Sequence, residues 1–177
     1  FVSNMIYVIY TGTYKGVPIS VIATGMGFAM VDLLVIQIRA ITEGPLTIIR
    51  FGTCGSLHAE VPIGSFVLTS KAYGVSQSYE NDEFPYHISK VPYPMDEKLN
   101  KILLTSFQTM LPQYKTYIGS CFSADTFYGS QGRQDDSFIN NNQTIISKIL
   151  EIDPEATNFE MEAYIFAFLA AKFPEAQ

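Results

Sequence analysis

Two cysteines, Cys54 and Cys121, are all that the chain contains. That number is too small for a disulfide framework or a cysteine-based zinc site. Both are expected to be reduced, half-buried core residues of a cytoplasmic protein. Histidine is equally sparse. His58 and His87 stand alone, without H-x-x-H or H-E-x-x-H spacing, so neither is expected to bind a metal or act as a base. Cations are few: 11 Lys and Arg against 17 Asp and Glu leave a net charge of −6. A nucleic-acid surface selects clustered Lys and Arg, so that class is set aside. No apolar run approaches the ~18–20 residues of a membrane span, because Arg39, Arg50 and Glu162 break the longest ones. No basic segment leads into a signal-peptide core. The chain opens at Phe1 rather than Met, and a targeting segment could precede it.

What the chain does have is a large apolar share, 47% of 177 residues, enough for one folded domain over residues 1–177. Ile6 to Tyr10 and Val17 to Thr24 read as strands of a hairpin around Thr11 to Gly16. Gly25-Met26-Gly27 ends the second strand. Phe28 to Glu43 reads as a largely buried helix stopped by Gly44-Pro45. Leu46 to Phe51 reads as a strand running into Gly52-Thr53-Cys54-Gly55, and Gly64 to Ser70 as another. Residues 76–94 are polar and rich in Tyr and Pro, the pattern of a long loop that walls or covers a site. A helix is expected from Pro94 to Met110, with Asp96 and Glu97 in its first turn. Tyr114 to Phe122 reads as a strand, Gln134 to Asn142 as polar loop, Thr144 to Glu151 as a short helix and Ala163 to Phe173 as an apolar one. Strand, glycine turn and helix in alternation predict an α/β sheet with its functional turns at strand ends.

Three segments carry candidate chemistry. In Phe127-Tyr128-Gly129-Ser130-Gln131-Gly132-Arg133 an aromatic ring, an amide and a guanidinium fall within seven residues. The ring offers a stacking face, Gln131 can donate to a carbonyl and accept from an N–H, and Arg133 presents a rigid fork of donors. A flat heterocycle such as uracil needs that set, although two glycines in a polar stretch also suit a plain surface turn. In Arg50-Phe51-Gly52-Thr53-Cys54-Gly55 a guanidinium, a hydroxyl and turn N–H groups could hold an oxyanion. No G-K-[ST] follows, and Gly25-Met26-Gly27 lacks the third glycine of a dinucleotide fingerprint. Gly52 to Gly55 equally reads as a tight turn. In Glu160-Met161-Glu162 a carboxylate could take both hydroxyls of a ribose diol, or the pair could be a solvated first helical turn.

Taken in order, Thr24-Gly25-Met26-Gly27, Arg50-Phe51-Gly52-Thr53-Cys54-Gly55, Ser123-Ala124-Asp125-Thr126-Phe127-Tyr128 and Phe159-Glu160-Met161-Glu162-Ala163 resemble the motifs of the nucleoside phosphorylase-I family. Phe127-Tyr128 with Gln131 and Arg133 resembles its uridine-cleaving branch. The resemblance runs from about Ile6 to about Phe173. It implies a three-layer α/β/α fold around a central mixed, twisted sheet, here incomplete at both ends. It also implies reversible phosphorolysis of uridine to uracil and ribose-1-phosphate, with purine nucleoside phosphorylase, nucleosidase or non-catalytic nucleoside binding as alternatives. Arg50 and Thr53 would hold phosphate, Gly27 and Gly55 line the site beside Cys54, and Phe127 pack on the nucleoside. Gln131 and Arg133 would bind the uracil edge, Met161 the ribose face and Glu162 its hydroxyls, with Glu160 in support. Phosphate is then a co-substrate, and no metal or organic cofactor is expected. The resemblance further implies a homodimer or higher homo-oligomer with shared sites. Family members are longer at both ends. An early phosphate loop would precede Phe1, and Ser3-Asn4-Met5-Ile6 carries no arginine where the family has one.

Overall fold

A computed structural model describes residues 7–80 and 83–173. Ile6 and the Ser3–Ile6 segment lie outside the described residues. Strands β1 (Val8–Tyr14) and β2 (Val17–Ala23) pair antiparallel as a sheet of their own. Their two-residue turn, Lys15-Gly16, has φ of 50° and 80°, the left-handed pair that matches strand twist in a tight hairpin. The turn is therefore shorter than the Thr11–Gly16 loop expected, and β1 runs on through Tyr14. Tyr7 donates its hydroxyl to the Met30 carbonyl at 2.7 Å, tying the hairpin to helix α1 (Phe28–Ile41). Only Val31 and Leu34 of α1 are buried, so the helix is less enclosed than its composition suggests.

Leu46 to Phe51 forms no strand. The segment has no regular structure, with Ile49 56% and Phe51 81% exposed. β-branched residues give a strand only where a neighbour completes the ladder, and among the described residues none lies alongside. After it come β3 (Gly55–Ser56), β4 (Phe66–Gln77), β5 (Tyr86–Ile88) and β6 (Tyr93–Pro94). Strand β4 is far longer than the Gly64–Ser70 expected. The supposed 76–94 loop carries β5 and β6, both antiparallel to β4. Helix α2 (Glu97–Met110) is capped by Asp96, whose side chain accepts from the Leu99 N–H at 2.8 Å; Asp96 is thus the cap itself rather than part of the first turn. Strand β7 (Thr116–Ala124), helix α3 (Ile145–Ile152), strand β8 (Ala156–Glu160) and helix α4 (Ala163–Lys172) complete the order.

The main sheet is mixed, in the order β3-β8-β7-β4-β5 with β6 beside β4. Strands β4, β7 and β8 are parallel, and β3 is antiparallel to β8. Side chains alternate between its faces. On one face Tyr73, Val75, Phe122, Ala124 and Phe159 pack with Ile145 and Ile149 of α3, and the Tyr73 and Phe122 rings stack at 4.5 Å. On the other, Ala72 and Cys121 meet Ala163 and Tyr164 of α4, and α1 lies on α4 through Phe28 and Tyr164. Helices thus flank a mixed sheet, as the α/β fold class requires. Each large apolar side chain buried here contributes ~1.5–3 kcal/mol. Strands β7 and β8 approach closely at Gly119, where a Cβ would fall 2.1 Å from Thr157 Cγ2.

Candidate functional site

Parallel strands β7 and β8 end side by side, and the chemistry gathers at those ends. Glu160 closes β8, and Met161-Glu162 leads into α4. All three are buried, at 3%, 8% and 7% exposure, which rules out a solvated first turn. The reason is that backbone and side-chain donors converge on them. The Glu160 carboxylate accepts from the Glu162 N–H at 2.8 Å, the Ala163 N–H at 3.0 Å, the Ser123 hydroxyl and the Cys121 thiol. Ser123 in turn accepts from the Tyr164 N–H at 2.9 Å. Glu160 therefore caps α4 where the helix dipole favours a negative charge and fastens that helix to β7.

Glu162 has a different set of partners. One oxygen accepts from the Gly27 N–H at 2.6 Å, and the other from Arg50 Nη2 at 2.5 Å. The same Nη2 lies 3.0 Å from Glu160. Burial disfavours the Arg50 charge, but the Glu160 and Glu162 carboxylates outweigh it and hold the guanidinium above its ordinary pKa. Gly27 has φ 87°, a conformation that glycine adopts freely. A Cβ there would meet Met161 Cε at 3.8 Å and the Asp125 carbonyl at 3.9 Å, so the β2–α1 turn, the end of β7 and the end of β8 come together.

Gly52 to Gly55 is not a tight turn. Neither glycine has positive φ, and Gly55 enters β3 opposite Phe159. Thr53 is exposed and makes no hydrogen bond to Arg50, Glu160 or Glu162. Cys54 is exposed and Cys121 fully buried, in place of the two half-buried residues expected. Partial desolvation and the Glu160 charge raise the Cys54 thiol, against the pull of Arg50. Burial, followed by Glu160, pushes the Cys121 thiol well above its ordinary value.

Beyond β7, Phe127, Gln131 and Arg133 form one cluster. The Arg133 guanidinium sits 4.0 Å from the centroid of the Phe127 ring, and its Nε donates to Gln131 Oε1 at 3.1 Å. The contact with Arg133 assigns the Gln131 oxygen toward the guanidinium and leaves its NH2 to donate elsewhere. The loop's base is fixed by Asp125, which accepts from the Gln77 N–H at 3.1 Å and the Ser130 hydroxyl at 2.6 Å.

A model of the phosphorylase superfamily matches residues 1–175. The chain belongs to that superfamily. A uridine phosphorylase of Thermococcus kodakarensis is 31% identical over 169 residues, 93% of this chain and 56% of the relative. A DeoD-type purine nucleoside phosphorylase of Streptococcus pneumoniae is 32% identical over 122 residues, 68% of this chain and 49% of the relative. A solved chain from a study of two uridine phosphorylases of the oomycete Phytophthora capsici superposes with a TM-score of 0.89 at 32% identity, covering 96% of this chain and 65% of that one. The chain thus spans about half the length of the curated relatives it matches.

Within this superfamily member, the motif reading found Arg50, Glu160, Glu162 and Gly27 together, and Phe127, Gln131 and Arg133 together. It included Ser123 in a motif without its role as the anchor of Glu160, and gave no role to Asn142, a buried amide under the loop. Ser123 could have been noticed as one of two hydroxyls, with Ser120, among the buried positions of β7. Among the described residues, no helix is long and apolar enough to cross a membrane, and no three of His, Cys, Asp and Glu are grouped to hold a metal ion.

Proposed function

We propose that the protein is a uridine phosphorylase, a pentosyltransferase that converts uridine and phosphate to uracil and ribose-1-phosphate. The observation that carries this is the Phe127–Arg133–Gln131 cluster, with its ring, fork and free amide at one spot. Phosphate oxygen forms the bond to ribose C1′ as the C1′–N1 bond breaks, and that bond's electron pair leaves with uracil. The sugar passes through an oxocarbenium-like state while negative charge spreads to the uracil carbonyls. The Gln131 amide and Arg133 fork donate more strongly as that charge grows, which lowers the barrier rather than merely binding substrate.

Both ion pairs of Arg50 use Nη2, which leaves Nη1 and Nε for phosphate. Thr53 adds a hydroxyl, and Gly55 and Cys54 line the base side. Glu162 takes the ribose hydroxyls, with Met161 under the sugar and Gly27 fixing the carboxylate. Glu160 holds the frame. Phosphate serves as co-substrate, without metal or organic cofactor. Residues 1–177 belong to a single nucleoside phosphorylase domain, working in the cytoplasm as a homodimer or larger homo-oligomer with shared sites. The resemblance to uridine phosphorylases supports the chemistry on nucleoside and phosphate.

Incubating the full-length protein with uridine, with and without phosphate, tests it. Uracil release that needs phosphate is expected; release without phosphate would make the protein a hydrolase instead. The DeoD-type relatives favour a second reading, purine phosphorolysis, and a higher kcat/KM for inosine than for uridine would select it.

A further inference from the structure

We propose that Asn142 is the positioning residue of base recognition, a role that rests on the phosphorylase reading above. Asn142 is 2% exposed, and a buried primary amide must find partners for two N–H donors and one oxygen. Its Nδ2 donates to the carbonyls of Tyr128 at 3.1 Å, Gly129 at 3.0 Å and Arg133 at 2.9 Å. Three acceptors for two N–H groups mean that at least one bond is shared. Its Oδ1 accepts from Gln134 Nε2 at 2.7 Å. Acceptors at one end and a donor at the other leave one orientation for the amide.

Those three carbonyls span the segment that carries Gln131 and Arg133. Two of them also close the loop's own turns, since the Arg133 N–H donates to Tyr128 and the Gly132 N–H to Gly129, each at 3.1 Å. One side chain therefore sets the path of the whole loop. Asn142 is itself moored, because its carbonyl accepts from the N–H of Ile145 at 3.2 Å, and Ile145 is fully buried in the core beneath α3. The chain of contacts runs from core to Ile145, to Asn142, to the loop backbone, to the donors that meet the base. Recognition groups act only when held within about half an ångström of the productive geometry. Asn142 touches no substrate and acts through Gln131 and Arg133.

The test is steady-state kinetics of full-length Asn142→Ala with uridine and phosphate varied separately, beside the wild type. Expected is a fall of about tenfold or more in kcat/KM for uridine, with the phosphate KM within about twofold of wild type. A folded variant whose uridine kcat/KM is unchanged, or whose phosphate KM rises along with the uridine effect, would overturn the proposal. Should Asn142→Ala fail to fold, Gln134→Ala decides: it removes the bond that orients the amide, together with a longer one to the Gly132 carbonyl, and an unchanged uridine kcat/KM would be the overturning result. Failure of the pyrimidine reading shows in the wild type, as absent uracil release. The same KM comparison is then made with inosine, so the two failures stay distinct.

Discussion

Replacing Glu160 by alanine should cost the folded protein about 3–5 kcal/mol, the price of breaking a buried charged network by removing one member. The count behind that figure is local. The carboxylate receives two backbone N–H groups at the start of α4, the Ser123 hydroxyl and the Cys121 thiol, and lies 3.0 Å from Arg50. Each buried donor left unsatisfied costs about 1–3 kcal/mol. Water entering the space and the surviving Arg50–Glu162 pair offset part of the total. Set against a typical stability of about 5–15 kcal/mol, the loss is large. Urea denaturation of the full-length variant measures it, as a lower midpoint at unchanged slope. Glu162→Ala provides the contrast. That side chain has two partners, Gly27 and Arg50, so its loss should cost about 1–2 kcal/mol while lowering kcat/KM for uridine by about a hundredfold. A Glu160→Ala penalty below about 1 kcal/mol, or equal stability losses in the two variants, would refute the division of labour between these neighbours.

Gly119→Ala should destabilise by about 1–3 kcal/mol, because the new Cβ would collide with Thr157; adding Thr157→Ala should recover much of that loss in a double-mutant cycle. Lys71 and Asp153 pair at 2.9 Å. Burial would raise the Asp153 carboxyl, yet Lys71 and the Glu155 N–H outweigh it and hold it below the usual range. Hydrogen bonds to Asp153 and Tyr73 lift Lys71. A lowered acid stabilises above its unfolded pKa of about 3.9, and a raised base below about 10.4. The penalty of Lys71→Met, about 1 kcal/mol or less for so exposed a side chain, should thus be flat from about pH 5 to 9 and shrink as pH falls below about 4 or rises past about 10.4. Native iodoacetamide labelling followed by mass spectrometry should modify Cys54 slowly and Cys121 only after denaturation.

Local pattern made much of this legible. The acidic start of α2, the stop near Gly44-Pro45 and the apolar run of α4 act within a few residues, so their signals survive without knowledge of neighbours, although Asp96 proved to be the cap rather than a first-turn residue. Leu46 to Phe51 failed for the opposite reason, since a strand depends on what lies beside it. Strand β8 was hidden because Asn158 and Glu160 are polar, and only their partners, Cys121 and Ser123 on β7, make burial of those groups tolerable. At the site, Gln131 and Arg133 declared themselves by chemistry. Asn142 looked like any residue of a polar loop, because three carbonyls converging on one amide leave no trace in residue types.

The ties that make the carboxylate cluster also fix when it can exist. Glu162 meets Arg50 across 112 residues and Gly27 across 135. During synthesis both partners leave the ribosome long before either glutamate. Until then Arg50 remains a hydrated cation, and the Gly27 amide is satisfied by water. Each doubling of such a loop adds only about 0.6 kcal/mol to closure, so distance delays the contact more than it weakens it. A nascent chain released before residue 160 therefore displays the hairpin and the arginine without the acids that organise them.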